Sequence, residues 1–515
     1  MDKFAFHPFL IAIFPIIFLF AYNADKVEMS VVLVPIAISL VFTILLFFCL
    51  KIILKDDKKR GIIISVFLIL FFSYGHLVAL ASILSIDKLN INKYFLLLIT
   101  EVIFLFLAAF FITRTSKKLS NVTFFLNVLS IALIVMPSAE IIKYELKVKN
   151  FPEKQIITSV NKSQQSRPSD LIDTEIESIV LPDIYYIILD GYARADILEE
   201  FYQYDNSEFI EWLEKKGFYV AEKSRPNYPQ TYQSLSSSLN LKYINYLADI
   251  VGKNSDDRSY FGELIENNEV QRFLKNNGYI FVTFTSAFAG TDKNPNADIY
   301  MTYKMNLNEF NNVLISTTPL GFFGGKNLQY SLHRNKILYA FDNIPTITQI
   351  KEPTFTFSHI MAPHPPFVFD SQGNEIQPDR LFTTNDAGFP GTKKEYKNNY
   401  VNQLIYSNQR TKEMIEKIIA NSKNPLVIIL QSDHGPAMQL EWEKPSKEAI
   451  RERTSILNAY FFSDKAQNAL YENITPVNTF RIIFNLYFQA DYEILEDKIY
   501  FTTWNRPYNF LKLED

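Results

Sequence analysis

Residues 182–192 read PDIYYIILDGY, a run of apolar and aromatic side chains that stops at Asp190-Gly191. The run is short and rich in Ile and Tyr, so length and composition predict a buried strand rather than a helix. A carboxylate where such a strand ends needs a partner, and a metal ion is a common one. The rest of the chain offers partners at the ends of other strands.

From Pro182 onward, strand-like and helix-like stretches alternate. Residues 183–189, 218–221, 279–284, 354–359, 425–430 and 456–462 read as strands. Residues 207–216, a small-residue stretch after Thr231, 260–277, 399–420 and a capped segment from Asn478 read as helices. This alternation predicts an α/β sandwich with a largely parallel sheet. Functional groups in such sheets gather at the carboxyl ends of the strands. Asp190, His359 and Asp433 fall at three of those ends.

Three further stretches carry chemistry. Asp433-His434-Gly435 follows the apolar run LVIIL, and the glycine permits a turn that lets both preceding side chains face one point. In NYPQTYQSLSSSLN, Thr231 opens a helix. A helix N-terminus favours an anion, and a hydroxyl beside a divalent cation becomes a nucleophile. Alone, Thr231 is read most simply as a helix cap; the company of Asp190 and Asp433-His434 reverses that reading. In FSHIMAPHPPF, the prolines after His364 predict a strand running into a stiff loop. A histidine there can bind a phosphate oxygen or protonate a leaving group, which makes His359 and His364 candidates. Arg194 and Arg225, each a few residues from a proposed ligand, are candidate phosphate clamps.

The N-terminal part is unlike the rest. Five apolar segments, near 8–22, 31–54, 61–84, 94–113 and 122–142, predict an all-α membrane domain of five helices. The first is short, but it lacks a basic leader and a small-residue cleavage site, so it reads as a retained helix. The second-to-third and fourth-to-fifth connections carry eight Lys/Arg and the other two carry three. The positive-inside rule then puts the N-terminus in the cytoplasm and everything after residue 142 outside. His76 and Glu101 lie within spans, where they read as interhelical hydrogen-bond partners. Residues 1–120 hold 12 Lys/Arg against 7 Asp/Glu, leaving 39 against 48 in the remainder. An acidic soluble part argues against nucleic-acid binding. The single cysteine, Cys49, lies in an apolar run, which excludes a disulfide framework or a cysteine zinc site. The domains expected are 1–142 in the membrane, a polar linker at 143–180, and a catalytic domain at 181–515.

PDIYYIILDGY, NYPQT, APHPPF and QSDHG, in that order, resemble the sulfatase-like branch of the alkaline phosphatase superfamily. The layout with membrane spans first is similar to that of membrane-anchored lipoteichoic acid synthases and phosphoethanolamine transferases. The resemblance implies an alkaline-phosphatase-like fold and a metal held by Asp190, Thr231, Asp433 and His434. It makes Thr231 the nucleophile and His364 a substrate contact. Two departures narrow the expectation. Thr231 occupies the nucleophile position and Cys49 lies elsewhere, so sulfatase chemistry through an oxidised Cys or Ser is not expected. The six histidines end at His434, which leaves too few for a two-metal phosphatase and predicts one tightly held divalent ion. Two carboxylates, a hydroxyl and an imidazole suit Mn²⁺ or Zn²⁺, with Mg²⁺ or Ca²⁺ admissible. The implied activity is transfer of a phospho-group from a membrane lipid donor to an envelope glycan or lipid acceptor. Hydrolysis of a phosphodiester, or of another sulfuric or phosphoric ester, by the same residues is the alternative, and a non-catalytic membrane binding protein is the alternative of another class.

Overall fold

The structure, a computed structural model, describes residues 4–24, 27, 29–83, 93–149, 181–303, 309–322, 326–376, 378, 380, 382–464 and 467–514. It divides into two compact units. One comprises Met1–Glu177 with Glu309–Lys326, and the other comprises Ser178–Asn308 with Asn327–Asp515.

The first unit is built from helices α1 (His7–Tyr22), α2 (Leu33–Ile53), α3 (Asp57–Ile83), α4 (Lys93–Arg114) and α5 (Ser120–Lys149). Four of the apolar helices are long enough to cross a membrane, whereas α1 has 16 residues and falls short. Phe106, Phe111, Phe125 and Met136 point outward, as lipid-facing side chains do. Among the intramembrane ionisable groups, Glu101 is turned inward and His76 outward. Helix α5 continues to Lys149, so the start of the expected linker is helical, while residues 150–180 lie outside the described residues.

The grouping of 309–322 with these helices departs from the single catalytic domain expected from 181 onward. The helix Glu309–Ser316 sets Phe310 among Ile16, Phe20, Val32 and Ile141. Gly75 N–H donates to Thr317 O at 2.9 Å. The Phe322 ring lies 5.2 Å from that of Tyr74 and 5.1 Å from that of Tyr94. The sequence gives little warning of this, because eight residues of helix are too few to register as a span.

The second unit holds strands β1 (Asp183–Leu189), β2 (Tyr219–Val220), β3 (Ile280–Phe284), β4 (Ile299–Met301), β5 (Thr354–Ile360), β6 (Leu426–Gln431) and β7 (Asn458–Phe462) in one sheet. Their order is β2-β7-β6-β1-β5-β3-β4. The run from β6 to β4 is parallel, and β7 pairs antiparallel with both β6 and β2. Parallel strands need crossover helices, which cover both faces of the sheet. Tyr185, Ile187 and Leu189 therefore face one layer, with the helices Lys326–Asn343 and Lys393–Asn421, and Ile184, Tyr186 and Ile188 face the other, with Thr231–Ser238 and Pro476–Phe488. Burial on both faces is why β1 reads as an unbroken apolar run. One helix expected over 260–277 is two, Ser259–Glu266 and Glu269–Asn276. The break is made by Asn268, whose side chain accepts from Gln271 N–H and starts the second helix.

A β-carbon at residue 75 would run into the backbone of Ser316 and Thr317. Gly75→Val is expected to loosen 309–322 from α3. Chymotrypsin should then cut the purified protein within that segment about tenfold faster, the factor given by about 1.4 kcal/mol of lost local stability. An unchanged cleavage rate would show that the segment is held by other contacts.

Candidate metal and phosphoryl-transfer site

The three central strands deliver the site. Asp190 follows β1, His359 is the penultimate residue of β5, and Asp433-His434 follow β6. Register places Ile188 opposite both His359 and Gln431, so all three strands end at one level. The backbone then turns sharply. Gly435 N–H donates to Arg453 O at 2.8 Å, and a β-carbon on Gly435 would run into Glu452 O. Only glycine fits that approach.

Thr231 is the first residue of the helix Thr231–Ser238, after an extended Gln230. Small side chains let this helix lie close to the sheet, with Ser238 Oγ accepting from Tyr186 O–H at 3.1 Å. Gln230 and Gln233 both donate to Thr502 Oγ1, at 3.1 and 3.0 Å, which fixes the helix start.

The side chains named from sequence meet here. His434 Nε2 lies 3.0 Å from Thr231 Oγ1, 3.3 Å from Asp433 Oδ2 and 3.5 Å from Asp190 Oδ1. His359 Nε2 lies 3.2 Å from Asp190 Oδ2. Asp190, His359 and Asp433 each offer a donor atom within 4.8 Å of the others. His359, read from sequence as a substrate contact, thus stands among the candidate ligands, because the strand order puts β5 beside β1.

These groups are buried, which decides their chemistry. Both Asp433 carboxylate oxygens and Asp190 Oδ1 are enclosed with no hydrogen-bond partner among the described residues. An unpaired buried carboxylate is costly, and a cation removes the cost. Burial pushes the His434 ring down to about 3, so it is neutral and can bind a cation. Its Nδ1 lies 3.0 Å from Gly435 O, which fixes the proton there and leaves Nε2 as a lone pair. The donor set therefore fits one divalent ion.

His364 sits beside these donors. Its backbone N–H donates to Asp190 O at 3.1 Å, its ring centroid is 6.1 Å from that of His434, and its Nε2 is 3.4 Å from Asp386 Oδ2. Burial disfavours a charged ring, but Asp190 and then Asp386 outweigh it and push His364 up to about 9. Burial likewise opposes the Asp386 charge, and Arg453 with His364 holds that carboxyl well below the usual range.

Arg194 and Arg225, expected as phosphate clamps, both contact neighbouring protein groups. Arg194 Nε is 2.6 Å from Asp196, two residues along, and its Nη1 donates to Ser224 O, so its charge is already neutralised. Arg225 donates to Thr454 O and Oγ1 at 3.3 Å each. A guanidinium does reach the site: Arg453, which is buried, pairs with Asp386 and donates to Pro229 O at 2.7 Å and Gly435 O at 3.0 Å. Neither Asp386 nor Arg453 sits in a recognisable pattern; the one signal was an arginine in a helix ending close before β7.

Comparison with known proteins gives one match that decides the family. The sulfatase family model matches residues 193–482, which takes in Thr231, His359, His364 and Asp433-His434 and begins three residues after Asp190. No curated protein matches the chain. Among solved structures, the C-terminal periplasmic domain of EptC from Escherichia coli is similar at 13% identity and a TM-score of 0.42, over 65% of this chain and 92% of that one. The lipooligosaccharide phosphoethanolamine transferase EptA from Neisseria meningitidis is similar at 12% identity and a TM-score of 0.39, over 94% and 95%. Scores this low establish neither activity nor substrate. The family match spans more than half of the chain, with an α/β sheet beneath it and the donors at the strand ends: the chain belongs to the sulfatase family and is a sulfatase-like enzyme.

Proposed function

We propose that the chain is a membrane-anchored, metal-dependent transferase of a phospho-group, such as phosphoglycerol or phosphoethanolamine. The donor is a membrane lipid, the acceptor is an envelope glycan or lipid, and the transfer passes through phospho-Thr231. The observation that carries this reading is the Thr231 hydroxyl at a helix N-terminus, 3.0 Å from His434 Nε2, beside two buried carboxylates with unpaired oxygens. The loop charges favour an extracytoplasmic catalytic unit.

Asp190, Asp433, His434, His359 and Thr231 Oγ1 would hold the ion, with Mn²⁺ or Zn²⁺ favoured by the donor set. When bound, the ion supplies positive charge that eases loss of the Thr231 proton and offsets charge on the transferred oxygens. Thr231 Oγ attacks the phosphorus of a phosphodiester, forming one P–O bond while the bond to the lipid alcohol breaks. His364 gives the Nε2 proton to the leaving oxygen. An acceptor hydroxyl then attacks the same phosphorus, Thr231 Oγ leaves, and His364 takes a proton back. The helix N-terminus at Thr231 favours the phospho-group throughout. Water in the acceptor's place would give hydrolysis. Four helices able to cross a membrane favour transfer, because they keep the enzyme at the bilayer that contains the donor. Sulfate-ester cleavage through an oxidised cysteine is disfavoured, since Cys49 lies in α2.

Three outcomes follow from this reading. Thr231→Ala should lower kcat/KM by at least about a thousandfold while the protein still carries metal, measured by elemental analysis of the purified variant. Wild-type turnover in that variant would remove Thr231 as nucleophile. Asp433→Ala should lose both turnover and metal; retention of the ion would take Asp433 out of the ligand set. The third outcome concerns pH. His364 is raised from 6.5 to about 9, so it stays protonated through neutrality and loses its proton as the pH rises through that value. Turnover should fall on the basic side, and Asp386→Asn, by deleting an anion beside the ring, should move that fall to lower pH. A basic limb that stays in place would separate His364 from the proton transfer.

A further inference from the structure

The loop 285–292 closes over His359. The Thr291 hydroxyl is 2.8 Å from His359 Nδ1 and 2.8 Å from Ser286 Oγ, and all three residues are buried. Asp292 anchors the loop: its Oδ1 accepts from Thr285 Oγ1 at 2.8 Å, from Ser286 N–H at 3.1 Å and from the buried Lys336 Nζ at 3.2 Å. Lys336 also donates to Ser286 O at 2.9 Å. The Phe288 ring stands edge-on to His359 at 5.7 Å and lies 4.7 Å from the ring of Tyr232, the residue after Thr231. His359 is thus held at one nitrogen and along its ring by a loop that the Lys336–Asp292 ion pair anchors.

The opposite nitrogen points at the carboxylates. Nε2 is 3.2 Å from Asp190 Oδ2, and Asp190 Oδ1 and both Asp433 oxygens have no hydrogen-bond partner among the described residues. A ring that carries its proton on Nδ1 presents a lone pair to two carboxylates. That arrangement repels unless a cation lies between them, and with the cation it becomes a ligand set. A histidine that binds a metal commonly donates its other N–H to a neighbouring oxygen, which fixes tautomer and ring orientation.

We propose that Thr291 is a positioning residue of the metal centre: its hydroxyl accepts from His359 Nδ1–H and so keeps His359 Nε2 as a donor beside Asp190 and Asp433. This rests on the metal-dependent reading of the site. It assigns a task to a residue with no sequence signature and gives the loop between β3 and β4 a part in metal affinity.

The test is Zn²⁺ affinity of the full chain in detergent, read by competition with a chelator, so that no turnover is needed. Thr291→Val keeps the shape and deletes the acceptor; it should weaken Zn²⁺ by about 10–100-fold. Thr291→Ser keeps the hydroxyl and should restore binding to near the wild-type value. In a His359→Gln background, Thr291→Val should add no further loss, because the group it positions is gone. Wild-type affinity in Thr291→Val overturns the proposal. So does an equal loss with and without His359, or a serine variant as weak as the valine one, since either marks a general effect on folding. A wild-type protein that takes up no Zn²⁺ and no Mn²⁺ overturns the metal reading itself.

Discussion

Two carboxylates buried a few ångströms apart, Asp190 and Asp433, set the terms for the rest of the structure. Each follows a central strand whose side chains are buried on both faces, so neither can turn to solvent. Charges in that position demand neutralisation. The surroundings supply part of it: His364 is held charged beside Asp190. The Arg453 charge, by contrast, is directed to Asp386. What remains is a concentration of unpaired carboxylate oxygen next to two imidazoles and a hydroxyl, which is the description of a cation site. The parallel order β6-β1-β5 is what makes it possible, because it brings three strand ends to one level. Helix crossovers follow from parallel pairing, and the helix that begins at Thr231 is one of them.

Much of this was legible in the sequence, and the reason is local. A strand buried on both faces is an uninterrupted apolar run, so the polar residue that ends it stands out. Asp190 and Asp433-His434 were visible for that reason, and strands 183–189 and 354–359 came within a residue of β1 and β5. Thr231 was visible through the proline before it and the small residues after it. His359 could be placed at a strand end, but its part depended on which strand neighbours which, and that is a long-range property. Asp386, Arg453 and Thr291 lie in loops or at a helix end, and spatial closeness alone brings them to the site. Proximity in sequence to Asp190 does not fix where the Arg194 guanidinium points, and Asp196 lies within its reach.

The membrane part shows the same division. Apolar length identified the helices. The return of 309–322 to those helices was hidden, since its contacts are scattered: Gly75, Phe310 and Leu314 in a helical cluster, and Phe322 against the rings of Tyr74 and Tyr94. In the chain the segment falls between β4 and the helix Lys326–Asn343.

The central claim is that Thr231 carries the group in transit. Its most direct test is intact-protein and peptide mass spectrometry of the purified full chain after incubation with membrane phospholipid in the absence of acceptor. The account predicts a covalent phospho-adduct on the peptide containing Thr231, with a mass that names the transferred headgroup, and its absence in Thr231→Ala. Turnover of the lipid with no adduct on Thr231, or an adduct on another residue, would contradict it.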